Sequence, residues 1–460
     1  MPRIAIGNSP YKRSSAQMPE SRVENYYWEQ SPTSESGEIW IPRPGLVTFR
    51  DGAGVLRGIY RAPGCLGGDI VAAIGTSVFR INSLGVATSI GSIAAGTNRV
   101  IIAGNLAGVM VADGVTLQYS TGAALSTVTL PFTNPIWVGH VAGYWLCVAG
   151  GTQKRFWTPD TTPTTWDALN FDSASSATDR LLGSAVIGNR IWDFGERSIE
   201  FRYASGDSDA PFAVEVGRAY ERGCLSRDTI VALDNSAFWV GEDRIVYRGA
   251  DVPMALSDSY ISERIAAVET SDIYAWGFPW QGHVFYCLTI GDQGTFVYDV
   301  TTQRWAQWSS YGANRWLPGL GCLGFDDDPL AGDTETGTLY TLDQDVYTDD
   351  GQPIVGLLTF GKVISGGREI VSMLRIEMAT GYATETGQGS NPIVDVRFSR
   401  DGGKVYGPWR SSSLGLAGNY GKRVKFNRCG QFQGPGMIGE MRVSDPVPRR
   451  VSGVYINEAF

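Results

Sequence analysis

One hairpin recurs along this chain, and its recurrence limits the fold more than any other feature. An apolar strand enters a turn built on Gly or Asp and returns as a second strand ending in aromatic or β-branched residues. It reads VAAIGTSVFRI around Gly75, VMVADGVTLQY around Gly114, WLCVAGGTQKRFW around Gly151 and RIWDFGERSIEFRY around Gly195. Further copies are AFWVGEDRIVYRG at Gly241, FYCLTIGDQGTFVYD at Gly291 and TETGTLYTLD at Gly337. The turn glycines are 39, 37, 44, 46, 50 and 46 residues apart. Repeats of ~40–50 residues, each built from short strands, have the period of β-propeller blades arranged around an axis. Asp-Gly and Gly-Gly turns supply the positive φ that two-residue hairpins demand. The run Ile199-Glu200-Phe201-Arg202-Tyr203 alternates as a half-buried strand does. No WD or kelch signature is present, so the blades rest on period and turn chemistry, and a large β-sandwich also spaces its strands regularly.

Composition agrees with an all-β chain. Among 460 residues there are 58 glycines, well above the ~7% of average usage. They do not repeat in threes, so they mark turns rather than collagen. Beyond the turn-rich joint Thr348 to Pro353, the segments MLRIEM, VDVRFS, RVKFN, EMRVS and VSGVYI alternate again. About 100 residues of such strands is the size of a sandwich domain. The expected architecture is therefore a β-propeller of six or seven blades over residues 51–350. An N-terminal extension and entry strand over 1–50 precedes it, and a C-terminal β-sandwich-like domain over 351–460 follows. Only Leu256 to Glu269 reads as helix, with Ser257 or Ser259 as N-cap and Ile261, Ile265 and Val268 on one face.

The formal net charge of −9 argues against a protein that wraps nucleic acid with a basic surface. The six cysteines, Cys65, Cys147, Cys224, Cys287, Cys322 and Cys429, are far apart and form no CxxC pair. In a large chain that pattern means buried thiols rather than a disulfide framework. The N-terminal MPRIAIGNSPYKRSS lacks the apolar core of a secretory signal, and no run approaches the ~20 apolar residues of a membrane span. A soluble protein folded in the cytoplasm is expected.

No catalytic constellation stands out. His140 and His283 each sit in an apolar run, where a histidine serves packing more often than chemistry, and a third histidine for a transition-metal site is missing. The acidic run Phe325 to Asp333 offers oxygen ligands for Ca²⁺ but lacks EF-hand spacing, which favours a solvated loop. There is no P-loop. The pattern Ser399-x-Asp401-x-Gly403-x-x-Tyr406 resembles the Asp-box of sialidases. That motif is itself a hairpin, in which Asp accepts backbone N–H groups and Gly supplies positive φ. Sialidases carry several, within their blades, whereas this one lies in the C-terminal region. The reading is a turn, and the chain is expected to have no enzymatic activity, catalytic residues, metal or cofactor.

Two segments carry a family resemblance. VENYYWEQSPTSESGEIWIPRPGLVTF, Val23 to Phe49, resembles the opening of the packaged-DNA stabilisation or tail-nozzle proteins of short-tailed phages. The likeness rests on Asn25, Tyr27 and Glu29, then a polar loop, then Pro44-Gly45-Leu46. Ser399 to Gly430 and Met441 to Asn457 are similar to that family's closing segments, and Asp243 to Ile265 matches more loosely. The resemblance implies a structural virion protein assembled in the host cytoplasm. Copies would form a hexameric ring that extends the channel of the portal and adaptor, retains packaged double-stranded DNA and conducts it at ejection. Tail needle, tail fibre or tailspike proteins would be its other partners. The basic leader MPRIAIGNSPYKR departs from the family's pattern. The competing reading is a receptor- or carbohydrate-binding propeller, with Trp-rich loops at Asp272 to His283 and Tyr311 to Gly319 stacking on sugars. Gly45 is expected to hold a positive-φ turn that fixes where the N-terminal strand enters the propeller.

Overall fold

A computed structural model describes residues 3–12, 20–32, 34, 37–174, 179–364, 367–434 and 436–457. Met1, Pro2 and Arg13 of the basic leader lie outside the described residues, as do Thr33, Glu35 and Ser36 of the Val23–Phe49 segment. The chain divides into two compact units. One takes in Thr48–Gly291 and Leu317–Thr341, the other Met1–Val47, Asp292–Trp316 and Leu342–Phe460.

The first unit is a propeller. Five four-stranded antiparallel sheets follow one another, opening with the strands Leu56–Tyr60, Ile101–Gly104, Pro135–Val141, Leu181–Ile187 and Val231–Leu233. A sixth sheet opens with Pro318–Leu323, which pairs with Pro329–Asp333. From the first blade to the fifth each opening strand packs beside that of the next, and the opening strand of the sixth packs beside that of the first. The hairpin of Ile273–Trp280 with His283–Ile290 stands between the fifth and sixth blades. Its first strand completes a closed ring of inner strands, so six blades and this hairpin surround the axis together.

Side-chain alternation explains why these short strands stay together. In Val109–Ala112, Val109 and Val111 face a core shared with Val71, Ala73 and Val78 of the preceding blade. Met110 and Ala112 face the opposite way, into a core with Trp145, Cys147 and Phe156 of the following blade. A period of two thus feeds two interfaces from one strand, and the strand reads apolar throughout. The ring closes through Leu56, Ile70 and Ile74 packed on Leu330 and Leu339. At about 25 cal/mol per Å² of buried apolar surface, these interfaces supply the main stabilisation.

Two repeat glycines differ from expectation. Gly75, Gly114, Gly151, Gly291 and Gly337 have positive φ, but Gly195 and Gly241 do not. A Cβ at Gly195 would lie 2.4 Å from Asp179 Oδ2, and one at Gly241 would lie 2.7 Å from Asp243 Oδ1. There glycine makes room for a carboxylate that braces the turn. Asp179 Oδ2 accepts from the backbone N–H groups of Arg197 at 2.7 Å and Ser198 at 3.1 Å.

The strand Ile199–Ala204 is also more enclosed than a half-buried strand. Ile199 and Phe201 enter an inter-blade core, while Glu200 and Arg202 are buried too. Their side carries an ion network: Arg155 reaches Asp193 at 2.5 Å and Asp172 at 2.8 Å, and Arg202 Nε lies 3.3 Å from Asp193. The alternation is one of chemistry, apolar against ionic, with both faces covered from Ile199 to Arg202 and Tyr203 exposed beyond them.

The second unit holds a curled half-barrel sheet. Its N-terminal strand Arg3–Ile6 pairs on one side with Gly356–Val363 and on the other with Val451–Ile456. The basic leader therefore contributes a strand: Ile4 and Ile6 are buried, and Arg3 pairs with Glu38 at 2.7 Å. Arg368–Met378 pairs with both Val424–Gln433 and Val451–Ile456, and Gly436–Val443 pairs with both Gly356–Val363 and Ile393–Ser399.

The helix Ser259–Ala266 is capped by Asp258, whose carboxylate accepts from the N–H groups of Tyr260 and Ile261. Neither serine is the cap. Ser257 Oγ instead accepts from Val246 N at 2.9 Å. Ile261 and Ile265 are buried, but Val268 lies beyond the helix end. All six cysteines are free thiols, five of them buried. Burial pushes the Cys224 thiol up to about 12, which suppresses its reactive thiolate. No helix among the described residues is long and apolar enough to cross a membrane.

Candidate functional site at the propeller axis

The inner strands approach one another closely because glycines line them. A Cβ on Gly58 would sit 2.3 Å from the carbonyl oxygen of Val100, and one on Gly319 would sit 2.6 Å from Tyr274 Cε2. Into this ring project two arginines. Arg99 precedes the strand Ile101–Gly104; its Nη1 donates to the carbonyls of Ala275 at 3.0 Å and Asp228 at 3.4 Å. Its Nη2 donates to the carbonyl of Gly319 at 2.6 Å, and the guanidinium lies 4.9 Å from the Tyr274 ring centroid. Arg227 opens a short 3₁₀ turn and donates to the carbonyls of Arg99, at 3.0 Å, and Ile136.

These contacts tie the second, third, fifth and sixth blades and the Ile273–His283 hairpin to one another across the ring. Burial pushes the Arg99 pKa down, opposed by the charge of Asp228, and an arginine stays protonated at neutral pH regardless. Asp228 Oδ1 lies 3.3 Å from Arg227 Nε. A cavity of about 530 Å³ adjoins the pair, lined among others by Asn98, Arg180, Glu196, Arg227 and Asp228. The arrangement offers charge and hydrogen bonds. Its physical effect is closure: guanidinium groups bonded to opposite walls leave no bore through the ring for a duplex.

The residues singled out in the sequence fall elsewhere. Asp401 Oδ1 accepts from Ser399 Oγ at 2.7 Å, Val405 N at 3.0 Å and Lys404 N at 3.1 Å, with Gly402 and Gly403 at positive φ. The Ser399 hydroxyl and these N–H groups hold its pKa below the usual carboxylate value. Ser399 and Tyr406 form a β-bridge, so the motif is a closed turn. A cavity of about 600 Å³ beside it is lined by Arg400, Arg410 and Arg428 among others. His140 Nε2 lies 2.9 Å from Asp160 Oδ1, and His283 is buried and stacked on Phe285. The Trp-rich segment at Asp272 to His283 is strand rather than loop, with Trp276 and Trp280 buried; Trp316 is buried as well. Of the acidic run, Asp333 is buried and accepts from Thr336 Oγ1 at 2.7 Å. Among the described residues no cluster of three or more His, Cys, Asp or Glu side chains is arranged to hold a metal ion.

The model of one protein family, described as "Bacteriophage P22 Gp10, beta-propeller", matches residues 3–347. The chain belongs to this family of phage stabilisation propellers. None of the curated protein sequences matches it. Among solved structures, the WD40 β-propeller domain of Doa1 superposes with a TM-score of 0.43 at 10% identity, covering 66% of this chain and 97% of that one. The computationally designed Ika8 protein gives a TM-score of 0.41 at 14% identity, covering 74% of this chain and all of that one.

For this member of the phage propeller family, sequence reasoning missed the axial arginines. Arg99 and Arg227 lie in NRV and SRD, which carry no motif, because their partners are backbone carbonyls that any residue supplies.

Proposed function

We propose that the protein is a structural, non-catalytic component of a short-tailed phage virion. It is a tail nozzle whose copies form a hexameric ring below the portal and adaptor, retain the packaged genome and conduct it at ejection. Membership of the phage stabilisation family carries this reading. The arginine-tied axis sharpens it, since a duplex then passes between copies and not down the centre of any one propeller. Needle, fibre or tailspike proteins dock on the assembled ring.

Native mass spectrometry of the protein mixed with its own portal and adaptor tests the proposal. Six copies bound to the portal complex are expected. A chain that stays monomeric and ignores that complex would remove the nozzle reading.

A further inference from the structure

The half-barrel unit buries two arginines that are solvated very differently. Arg43 is wholly buried and uses all five of its N–H groups. Nε donates to Asn25 Oδ1 at 2.8 Å; Nη1 donates to Asp349 Oδ1 at 2.8 Å and the Pro44 carbonyl at 3.0 Å. Nη2 donates to Asp349 Oδ2 at 2.6 Å and the Ser309 carbonyl at 2.8 Å. Asp349 is thereby committed to Arg43, with Ser310 Oγ donating to it as well, at 2.6 Å.

Arg449 is equally buried, yet none of its three guanidinium nitrogens has a hydrogen-bond partner, and neither does the buried hydroxyl of Tyr26. The two side chains adjoin: a Cβ on Gly356 would lie 2.9 Å from Tyr26 Oη and 3.0 Å from Arg449 Nε. Burial and the nearby charge of Arg43 push the Arg449 pKa down, with Tyr26 and Asp349 opposing, but the group remains a cation. Arg43, Asp349 and Arg449 leave one positive charge uncompensated. Buried charges are paired, and buried donors find acceptors, because an orphan of either kind is costly.

We propose that Arg449 holds a small inorganic anion of the halide class, which also accepts from Tyr26 Oη. The full burial of Arg449 excludes a macromolecular group or a solvent-facing ligand, and a monatomic anion needs no further donors. It supplies the missing negative charge and the missing acceptor together, which an ordered water does not.

Crystals of the full chain grown in sodium bromide provide the direct test. An anomalous peak within hydrogen-bond distance of the Arg449 guanidinium is expected; ordinary water density with no anomalous signal there would overturn the proposal. In solution, at constant ionic strength, replacing gluconate by chloride should raise Tm by about 2 °C per tenfold chloride. The Arg449→Met variant should show no such dependence. If that variant does not fold, the bromide map and the wild-type titration still decide, and equal Tm in both salts counts against the site.

Discussion

Arg99 Nη2 meets the carbonyl oxygen of Gly319 at 2.6 Å, across a ring of inner strands and between residues 220 positions apart. The bond joins the second blade to the sixth, and it is one of several by which Arg99 and Arg227 lock the axis. A wheel of blades held only by side-to-side apolar contacts can breathe at its centre. Charge-assisted hydrogen bonds to backbone carbonyls remove that freedom, and each is worth about 1.5–3 kcal/mol.

Replacing Arg99 by Leu should therefore destabilise the propeller by about 2–4 kcal/mol, because it leaves the carbonyls of Ala275 and Gly319 without their donor. Urea unfolding followed by Trp fluorescence measures this. A midpoint unchanged from wild type would mean that the axial contacts contribute nothing.

Gly45 tests a different piece of sequence reasoning. The Pro-Gly-Leu sequence predicts a positive-φ turn there, but Gly45 does not have positive φ and instead begins the strand Gly45–Arg50. A Cβ there would lie 2.3 Å from the carbonyl oxygen of Val346 and 2.6 Å from that of Thr348. Backbone atoms cannot move aside as side chains do, so even Gly45→Ala should cost about 1–3 kcal/mol. Differential scanning calorimetry should show a lower Tm; an unchanged Tm would contradict the close approach.

The hairpins were legible because a period of ~40–50 residues and alternating strands follow directly from blade geometry. The N-terminal strand was not legible, since RIAI is too short to distinguish from a leader until Gly356–Val363 and Val451–Ile456 flank it. The ion network of Arg155, Asp172, Asp193 and Arg202 was hidden for another reason. Charges in a strand read as solvent-facing, and only the next blade shows that face to be covered.

Asp113 carries a pH prediction. Burial works against its charged form, but the N–H groups of Thr116, Ala94 and Val115 and the Thr116 hydroxyl outweigh this, holding its pKa below the usual carboxylate value. A depressed folded-state pKa adds stability above the unfolded value of about 3.9, lost as pH falls through the folded value. Asp113→Asn should lower stability at pH 7 by about 1–3 kcal/mol. Its unfolding free energy should also fall less steeply than that of wild type below about pH 4. Denaturation curves across pH 2–7 check both, and parallel acid limbs would show that Asp113 contributes no linkage.

The ring form should bind duplex DNA negligibly at ~0.15 M salt. If copies of net charge −9 line a conduit as proposed, they would repel the duplex only within the ~8 Å Debye length, so DNA would slide and retention would come from physical closure. Fluorescence anisotropy across a salt series reads this. Micromolar binding with a steep salt slope would instead place a basic lumen within the acidic total, and Gly421 to Arg428, with its Lys422, Arg423, Lys425 and Arg428, would be the first segment to neutralise.

The most direct test of the account is an electron cryo-microscopy map of the protein on its own portal complex with DNA in the channel. The account predicts six propellers in a ring, duplex density between them, and Arg99 still bonded to Gly319 within each axis. A duplex threading the axis of a single propeller, or a lone copy on the portal, would contradict it.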